Sequence, residues 1–345
     1  MREVHLAAYR KLQLNVVAIT NRTAKTALET AAQYGIQRVY DSYQELIADP
    51  TIEVLDIALP PDLQPQIIAE AVKHKGHIRG ILAQKPLAMN YADALNTVKA
   101  CEDAGIVLAV NQNMRYDQSI RALKTLLDRG DLGEPVLATI EMRAIPHWQP
   151  WLHHYPGLTL AAMSIHHLDC FRFLFGDPQS VYASACADPR TKFPHRDGIA
   201  LYILEYANGM RASAWDDVWA GPVREGAASD NYIKWRVEGT EGLAHGTIGW
   251  PGYPNAVPST IQYSTVHNPG IWVAPQWNEV WFPDAFGGTM GELLDSLTEG
   301  RQPKISGREN LGTMALVDAC YKSLDEHRPV FMSEITEGLI DGLGA

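Results

Sequence analysis

Residues 54–86 read VLDIALPPDLQPQIIAEAVKHKGHIRGILAQKP and hold two short β-rich runs around one amphipathic run. Val54–Leu59 predicts a strand that the pair Pro60–Pro61 stops, because proline has no N–H to give to a sheet. Leu63–Lys75 predicts a helix from the spacing of its apolar residues, and Ile78–Ala83 predicts a second strand. A strand, a helix and a strand in this order are typical of a βαβ unit with parallel strands.

The same alternation continues on both sides of this unit. Asn15–Thr20 predicts a strand and Ala24–Tyr34 a helix, while Tyr91–Ala104 predicts a helix and Ile106–Val110 a strand. Ligands of parallel sheets bind beyond the carboxyl ends of the strands, and three of these four ends carry polar groups with nucleotide-binding potential. The four ends are Thr20-Asn21-Arg22, Leu59-Pro60-Pro61, Ala83-Gln84-Lys85-Pro86 and Val110-Asn111-Gln112-Asn113.

The beginning of the sequence differs from that of a complete dinucleotide-binding fold. Such a fold opens with a strand and a Gly-rich turn, which binds the pyrophosphate at a helix N-terminus. Here Arg2–Leu12 predicts a helix, and the first glycine is Gly35. We therefore expect the chain to start inside the first helix, to bind a cofactor weakly, and to leave strand Asn15–Thr20 with an unpaired edge.

Aromatic residues divide the chain into two parts. All nine Trp lie at or after Trp148, and all seven Phe lie at or after Phe171. The first part must build its core from Val, Ile, Leu and Ala, as in parallel sheets that helices cover on both faces. Large aromatics in the second part favour a broad antiparallel sheet packed on a few helices.

Turn residues support this division. Ala207-Asn208-Gly209 and Gly239-Thr240-Glu241 each separate two β-rich runs and predict hairpins. We therefore predict an α/β chain with two domains. Residues 1–115 form a parallel sheet of the dinucleotide-binding kind that is truncated at its start, and residues 116–345 form an α+β domain with a large, mainly antiparallel sheet.

Charge and composition exclude several classes of function. The 345 residues include 29 Lys and Arg against 40 Asp and Glu, a net charge of −11. Nucleic-acid binding needs a basic patch, and no run of Lys or Arg is present. No apolar run approaches the ~18 residues of a membrane span, the N-terminus lacks the apolar stretch of a signal peptide, and four cysteines are too few for a disulfide framework. The sequence thus predicts a cytoplasmic protein that binds neither nucleic acid nor membrane.

One segment of the second part, residues 157–178, carries clustered chemistry. It reads GLTLAAMSIHHLDCFRFLFGDP and predicts a helix on which His166, Asp169 and Cys170 share one face. His and Cys at this spacing also suit a metal ion. Adjacent histidines point in different directions on a helix, so we predict no metal site.

Eight ordered elements, from Arg2 to about Val330, resemble the glucose-fructose oxidoreductase / inositol dehydrogenase family (Gfo/Idh/MocA). In chain order they are REVHLAAYR, VVAITNR, PPDLQPQIIAEAV, AQKPLA, NQNMRYD, RGDLGEPV, SIHHLDCFRFLFG and SGRENLGTMALVDACYKSL. The resemblance implies a Rossmann-type domain, an open antiparallel sheet domain, and NAD(P)-dependent oxidation or reduction of a hydroxyl of a sugar, glycoside or cyclitol.

The resemblance places Lys85 at the family's catalytic lysine and His166 at its catalytic histidine. Hydride leaves a carbinol carbon only as the hydroxyl proton is removed, so a base must lie within hydrogen-bond reach of that oxygen. Taken singly, Lys85 is also compatible with a solvated lysine and His166 with a hydrogen-bonded helix histidine. The family usually has an Asp four residues before the His, where this chain has Ala162. Asp169 either orients His166 in its place or pairs locally with Arg172.

The resemblance also implies a cofactor site. The residues expected to contact the cofactor are Thr20, Asn21, Arg22, Leu59, Pro60, Gln64, Gln84, Lys85 and Asn113. The family's acidic ribose ligand falls at Asn21 and is followed by Arg22, a change that favours a 2′-phosphate and hence NADP over NAD. The alternative is an ordinary helix N-cap at Asn21 or Thr23. Gln84 stands at the family's motif glutamate and keeps its hydrogen-bonding capacity without its charge.

Substrate contacts are expected from Asp169, His167, Trp148 and Arg115. Trp148 lies in a loop before the helix that carries His166, where it either stacks on a sugar ring or covers core. The resemblance implies a homo-oligomer, a dimer or tetramer that associates through the outer face of the open sheet. The rival hypothesis is a cofactor-free remnant of the family that binds a sugar or a partner protein without turnover.

Overall fold

A computed structural model of the protein describes residues 2–143, 150–191, 193–217, 231–249 and 256–337. The chain divides into two compact units. Unit 1 comprises Met1–Asn113 and Pro283–Leu311, and unit 2 comprises Met114–Phe282 and Gly312–Ala345. No helix within the described ranges is both long and apolar enough to cross a membrane.

Short strands alternate with helices in unit 1. The chain enters through a widened π-helical turn, Arg2–Leu6. The helices that follow are α1 (Ala7–Lys11), α2 (Ala24–Tyr34), α3 (Tyr43–Ala48), α4 (Gln64–Lys73) and α5 (Tyr91–Ala104), and the strands are β1 (Ala18–Thr20), β2 (Arg38–Tyr40), β3 (Val54–Ile57), β4 (Gly80–Ala83) and β5 (Val107–Val110). Helices α2 and α5 have their predicted bounds, and α5 shows why. Asn90 accepts a hydrogen bond from the Asp93 N–H at its start, and Gly105 ends it in the left-handed region, φ 71°.

The strands of unit 1 form two separate parallel sheets. One pairs β1 with β2, and the other has the order β3-β4-β5. Within the described residues β1 pairs only with β2. Strand β1 is shorter than predicted, and the sequence analysis missed β2 and α3. A strand of three residues is too short to show an alternating pattern.

Residues 283–311 are the main difference from the predicted division, which assigned 116–345 to one domain. This segment groups with unit 1, where it covers the β3-β4-β5 sheet. A Cβ at Gly80 would lie 2.7 Å from Cδ1 of Leu297, so β4 and this segment pack closely against each other. Ser306 forms a β-bridge with Ala109 of β5. Sequence periodicity cannot reveal such a return, because it reports neighbours along the chain and not the layer that a helix covers.

Unit 2 is built on one sheet of eight strands, with the order β12-β11-β10-β6-β9-β8-β7-β13. Only β6 and β9 pair in parallel. The strands are β6 (Pro135–Arg143), β7 (Ser180–Cys186), β8 (Ile199–Glu205), β9 (Arg211–Asp217), β10 (Tyr232–Gly239), β11 (Gly242–Thr247), β12 (Thr260–Thr265) and β13 (Val330–Phe331). The parallel sheet of unit 1 and this large, mainly antiparallel sheet confirm the predicted fold class, and both predicted hairpins are present.

Helices complete the fold. They are α6 (Gln118–Asp128), α7 (Ile165–Phe175), α8 (Trp281–Glu299), α9 (Gly307–Glu326) and α10 (Ser333–Thr336). One boundary between the two units falls between Asn113 and Met114, and the other two fall within α8 and α9. Along β8 the residues alternate between core and surface, with Ala200, Tyr202 and Leu204 buried. This period of two is the pattern of a sheet with one covered face.

Candidate active site

The carboxyl end of β4 leads directly into Gln84, Lys85 and Pro86. The Lys85 N–H donates to Oε1 of Gln84 at 2.9 Å, so the turn is fixed in part by its own side chain. Lys85 itself is half-buried. Its removal from water lowers the pKa of the amine from its usual value of 10.5 to about 7, because burial disfavours the charged form.

A pKa near 7 suits a group that exchanges protons. Both the neutral amine and the ammonium are then populated near neutral pH, so Lys85 can accept or donate a proton without a large free-energy cost. A solvated surface lysine would stay protonated under the same conditions. The lowered pKa of Lys85 therefore favours an acid/base group over a solvated surface lysine.

A buried polar cluster lies beside this turn in unit 1, and the sequence analysis missed it. Nδ1 of His5 lies 2.8 Å from Oδ2 of Asp56 on β3, and the Tyr9 hydroxyl donates to the same oxygen at 2.7 Å. Nε2 of His5 lies 3.3 Å from the side-chain amide nitrogens of Gln84 and Asn111. Burial and the Asp56 carboxylate both raise the pKa of Tyr9, which stays a hydrogen-bond donor. The sequence carried two signals of this cluster. His5 and Tyr9 are one helical turn apart, and Asp56 is an acidic residue inside a buried strand.

Several buried polar atoms at the same strand ends have no hydrogen-bond partner among the described residues. They are Oδ1 of Asp56, Oδ1 of Asn111 and both side-chain amide atoms of Gln112. Buried polar groups are rarely left unsatisfied, so such a group invites a ligand or water. Ala83, two residues before Lys85, pairs with Val110, which directly precedes Asn111 and Gln112, and this donor and acceptor set fits the polar edge of a nicotinamide nucleotide.

The end of β1 is more exposed. Thr20 is half-buried, while Asn21 and Arg22 are exposed. Oδ1 of Asn21 accepts a hydrogen bond from the Thr23 N–H at 3.0 Å, and Thr23, at the N-cap of α2, makes no side-chain capping bond. Asn21 therefore shapes the turn before α2, and the Arg22 side chain is accessible to a ligand.

The remaining expected cofactor residues lie at the other strand ends. Leu59 is 38% exposed and Pro60 half-buried after β3, whereas Asn113 is buried after β5. Gln64 is fully buried at the first position of α4, with its side chain turned to the segment Gln84–Pro86. All of these residues belong to unit 1.

In unit 2, His166 lies in the first turn of α7 and is 7% exposed. Its ring meets that of Trp281 edge to face, with centroids 6.0 Å apart. A widened turn, Leu160–Ser164, precedes α7. The Asp197 carboxylate holds the start of this turn by accepting the N–H groups of Leu158 and Leu160, at 2.7 and 2.9 Å.

Asp169 has a partner that the sequence patterns did not predict. Its carboxylate accepts two hydrogen bonds from the Arg115 guanidinium, at 2.6 and 2.7 Å, and one from the Thr313 hydroxyl at 2.8 Å. Arg172 pairs with Asp177 instead. The Asp169 and Arg115 side chains are 1% and 5% exposed. The two expected substrate ligands thus face each other in a buried, bidentate ion pair, a partnership 54 residues apart in sequence that helix spacing cannot reveal.

His167 is fully buried in the core of unit 2. Its Nδ1 lies 3.0 Å from Oδ1 of Asp216, and Ser164 donates to the other oxygen of that carboxylate. Trp148, the fourth expected substrate contact, lies outside the described residues. Of the four, the structure thus places three, and all three are buried.

The described part of the chain contains no group of three His, Cys, Asp or Glu side chains that could hold a metal ion. Cys170, one turn from His166, is buried, and burial raises the pKa of its thiol well above the usual value. A protonated thiol is a poor ligand and a poor nucleophile.

Comparison with known proteins adds to this geometry. A model of an oxidoreductase family with an NAD-binding Rossmann fold matches residues 1–112, and the GFO/IDH/MocA C-terminal domain matches residues 120–245. D-apiose dehydrogenase of Rhizobium rhizogenes is 28% identical over 324 residues, covering 91% of this chain and 89% of the relative. Myo-inositol 2-dehydrogenase of Thermotoga maritima is 21% identical over 311 residues, covering 89% and 88%. An oxidoreductase from Agrobacterium radiobacter, solved with NAD+, L-tartaric acid and magnesium, superposes with a TM-score of 0.81 at 25% identity, covering 96% of this chain and 95% of that one.

Proposed function

Since the chain belongs to the Gfo/Idh/MocA family of oxidoreductases, we propose that it transfers hydride to or from a secondary hydroxyl or ketone of a sugar, glycoside or cyclitol, with a nicotinamide dinucleotide as cofactor. The relatives are dehydrogenases of D-apiose and of myo-inositol, as their names state. When bound, the nicotinamide ring supplies the hydride donor or acceptor. The chain's own residues must supply the proton transfer and the binding.

The observation that carries the proposal is Lys85, a lysine whose pKa burial lowers to about 7, at the end of a strand in an NAD-binding domain. In the oxidation direction the neutral amine accepts the hydroxyl proton, and in the reduction direction the ammonium returns it. His166 is the partner acid/base or the group that orients the substrate hydroxyl. An imidazole can serve as donor or acceptor near neutral pH.

We assign the binding of the adenosine ribose to the end of β1. Asn21 carries no charge that would repel a 2′-phosphate, and the exposed Arg22 guanidinium provides a partner for one. This pair supports NADP over NAD. Gln84 and the unsatisfied side chains of Asn111 and Gln112 would hold the nicotinamide end through amide hydrogen bonds.

Binding and turnover test the proposal together. The purified chain is titrated with NADPH and with NADH by nicotinamide fluorescence, and initial rates are measured with NADP+ and NAD+ on pentoses, hexoses, anhydrosugars and inositols. We expect turnover of at least one polyol, with kcat/KM higher for NADP+. Replacing Arg22 by Ala should remove that preference without abolishing turnover. A preference for NAD+ that is insensitive to this change would contradict the assignment of Arg22.

A second candidate function is a cofactor-free module that binds a sugar or a partner protein. The split parallel sheet among the described residues and Ala162 at the place of the family's Asp favour it. Such a module would bind a polyol in calorimetry with no cofactor present. It would also show no change in nicotinamide fluorescence at millimolar dinucleotide, and this outcome would reject the enzyme.

A further inference from the structure

Gln64 makes three hydrogen bonds to the segment that carries Lys85. Oε1 of Gln64 accepts from the Gln84 N–H at 2.6 Å. Its Nε2 donates to the Gln84 carbonyl at 2.9 Å and to the Pro86 carbonyl at 2.8 Å. The residue is fully buried, and every one of these contacts lies within unit 1.

These bonds use both N–H groups of the carboxamide. A primary amide has two donors, and Gln64 gives one to each carbonyl, so no N–H remains for a ligand. Gln64 was expected to contact the cofactor, but its carboxamide has no N–H left to donate to one. The three bonds instead hold the backbone on both sides of Lys85.

The support for Gln64 is rigid. It is the first residue of α4, and Ile67 and Ile68 of the same helix are buried in the core. A side chain fixed by a packed helix loses little entropy when it binds the turn, so it holds the turn in one conformation. Catalytic groups need such support, since an error of about 1 Å in position can cost a rate factor of about a hundred.

We propose that Gln64 is a positioning residue, which clamps the turn Gln84–Pro86 and thereby holds the Lys85 amine in its half-buried place. The proposal rests on the proposed function for the importance of Lys85 to turnover. The clamp on the turn does not depend on the proposed function, so the two parts of the proposal can be tested separately.

The test compares Gln64→Met with a matched control, Gln66→Met. Methionine keeps the length and volume of the side chain but makes none of the three bonds. Gln66 lies on the same helix and is exposed. The first readout is the titration of Lys85, followed by NMR of 13C-methylated lysines, with the Lys85 signal identified by its loss in Lys85→Arg. The second is the separate measurement of kcat and of KM for the dinucleotide.

We expect Gln64→Met to raise the midpoint of the Lys85 titration by at least one pH unit toward that of an exposed lysine, because a loosened turn lets water reach the amine. We expect kcat to fall about tenfold to a hundredfold with KM for the dinucleotide within about threefold. Gln66→Met should match the parent in both. A raised KM with an unchanged kcat and an unchanged titration would instead make Gln64 a cofactor ligand and overturn the proposal.

Loss of three buried hydrogen bonds can prevent folding, so Gln64→Glu serves as a second variant. A carboxylate still accepts from the Gln84 N–H but repels the two carbonyls, whereas a protonated carboxyl donates to one of them. A carboxylate beside the turn also stabilises the Lys85 ammonium, so the midpoint of the Lys85 titration in Gln64→Glu should lie above that of the parent. A parent-like titration in both variants overturns the clamp. An altered titration in a chain that shows no turnover supports the clamp and counts against the proposed function alone.

Discussion

Lys85 combines a strand-end position with a pKa of about 7, and the direction of that shift fixes the pH dependence of its chemistry. Oxidation needs the neutral amine as a base, so kcat/KM for oxidation should rise with pH and level off above about 7. Reduction needs the ammonium as an acid, so its rate should fall over the same range. Opposite slopes in the two directions are the signature of one acid/base group.

Lys85→Ala should abolish turnover and leave the fold and dinucleotide binding nearly intact, because a half-buried strand-end lysine contributes little to the core. Steady-state or stopped-flow rates, with circular dichroism on the same samples, check this prediction. Turnover within tenfold of the parent, ~1.4 kcal/mol in the barrier, would contradict the assignment.

His166→Asn should lower kcat with little change in KM if the imidazole acts mainly in the transition state. His327→Asn is the matched control in the same unit, since His327 is exposed and its left-handed φ of 53° is one that Asn accepts. Position 162, one turn before His166, is Ala where the family usually has an Asp. A pH–rate profile that the replacement leaves unchanged would remove His166 from the mechanism.

At the scale of elements, α7 is held by a buried ion pair. Asp169 on α7 binds Arg115, from the turn that precedes α6, and Thr313 on α9. The carboxylate thereby connects three segments of unit 2. This arrangement argues for a structural role, whereas the resemblance implied a substrate contact, and one substitution separates the two.

Asp169→Asn should lower the free energy of unfolding by about 3–5 kcal/mol, because it leaves the Arg115 charge buried without a counter-charge. Asp325→Asn is the control. Asp325 and its partner Arg196 are 63% and 42% exposed, and exposed pairs contribute about 1 kcal/mol or less. Urea denaturation measures both. An unchanged urea midpoint together with a raised KM for the polyol would identify Asp169 as a substrate ligand instead.

The open edge of β1 is the other feature at this scale. β1 pairs only with β2 and β3 only with β4 among the described residues, so each strand keeps one edge without a partner. All three residues of β1 are half-buried, while all four of β4 are buried. Strands with a free edge are less covered and readily pair with other chains.

At the scale of the molecule, the large sheet of unit 2 presents apolar side chains to solvent. Tyr182, Leu201, Ile203 and Phe331 are between 41% and 56% exposed. Tyr182 lies opposite Ile203 in the register of β7 and β8, so they share a face. Contiguous exposed apolar groups mark surfaces that associate, and we propose that this face joins copies of the chain in a dimer or tetramer.

Leu201→Lys combined with Ile203→Lys should convert the oligomer to monomer, because four like charges on two symmetric faces repel and cannot be desolvated cheaply. Light scattering coupled to size exclusion measures the mass. Met89→Lys is the control, since Met89 is 46% exposed but lies in unit 1. A parent that is monomeric over the accessible concentration range, or a double variant of unchanged mass, would contradict this use of the face.

Features that depend on residues close together in the chain could be predicted from the sequence. Apolar spacing predicted α2 and α5 with their observed bounds, turn residues predicted the hairpins of unit 2, and strand order placed Lys85 at a carboxyl end. Tertiary structure alone decided which distant residues meet. Gln64 bonds to Gln84 across 20 positions and His5 contacts Asp56 across 51. Residues 283–311 return to unit 1 and pack on the β3-β4-β5 sheet. Helix and strand periods arise from local backbone geometry and leave their mark in the sequence. A buried hydrogen bond or ion pair depends on the path of the whole chain, which no local pattern records.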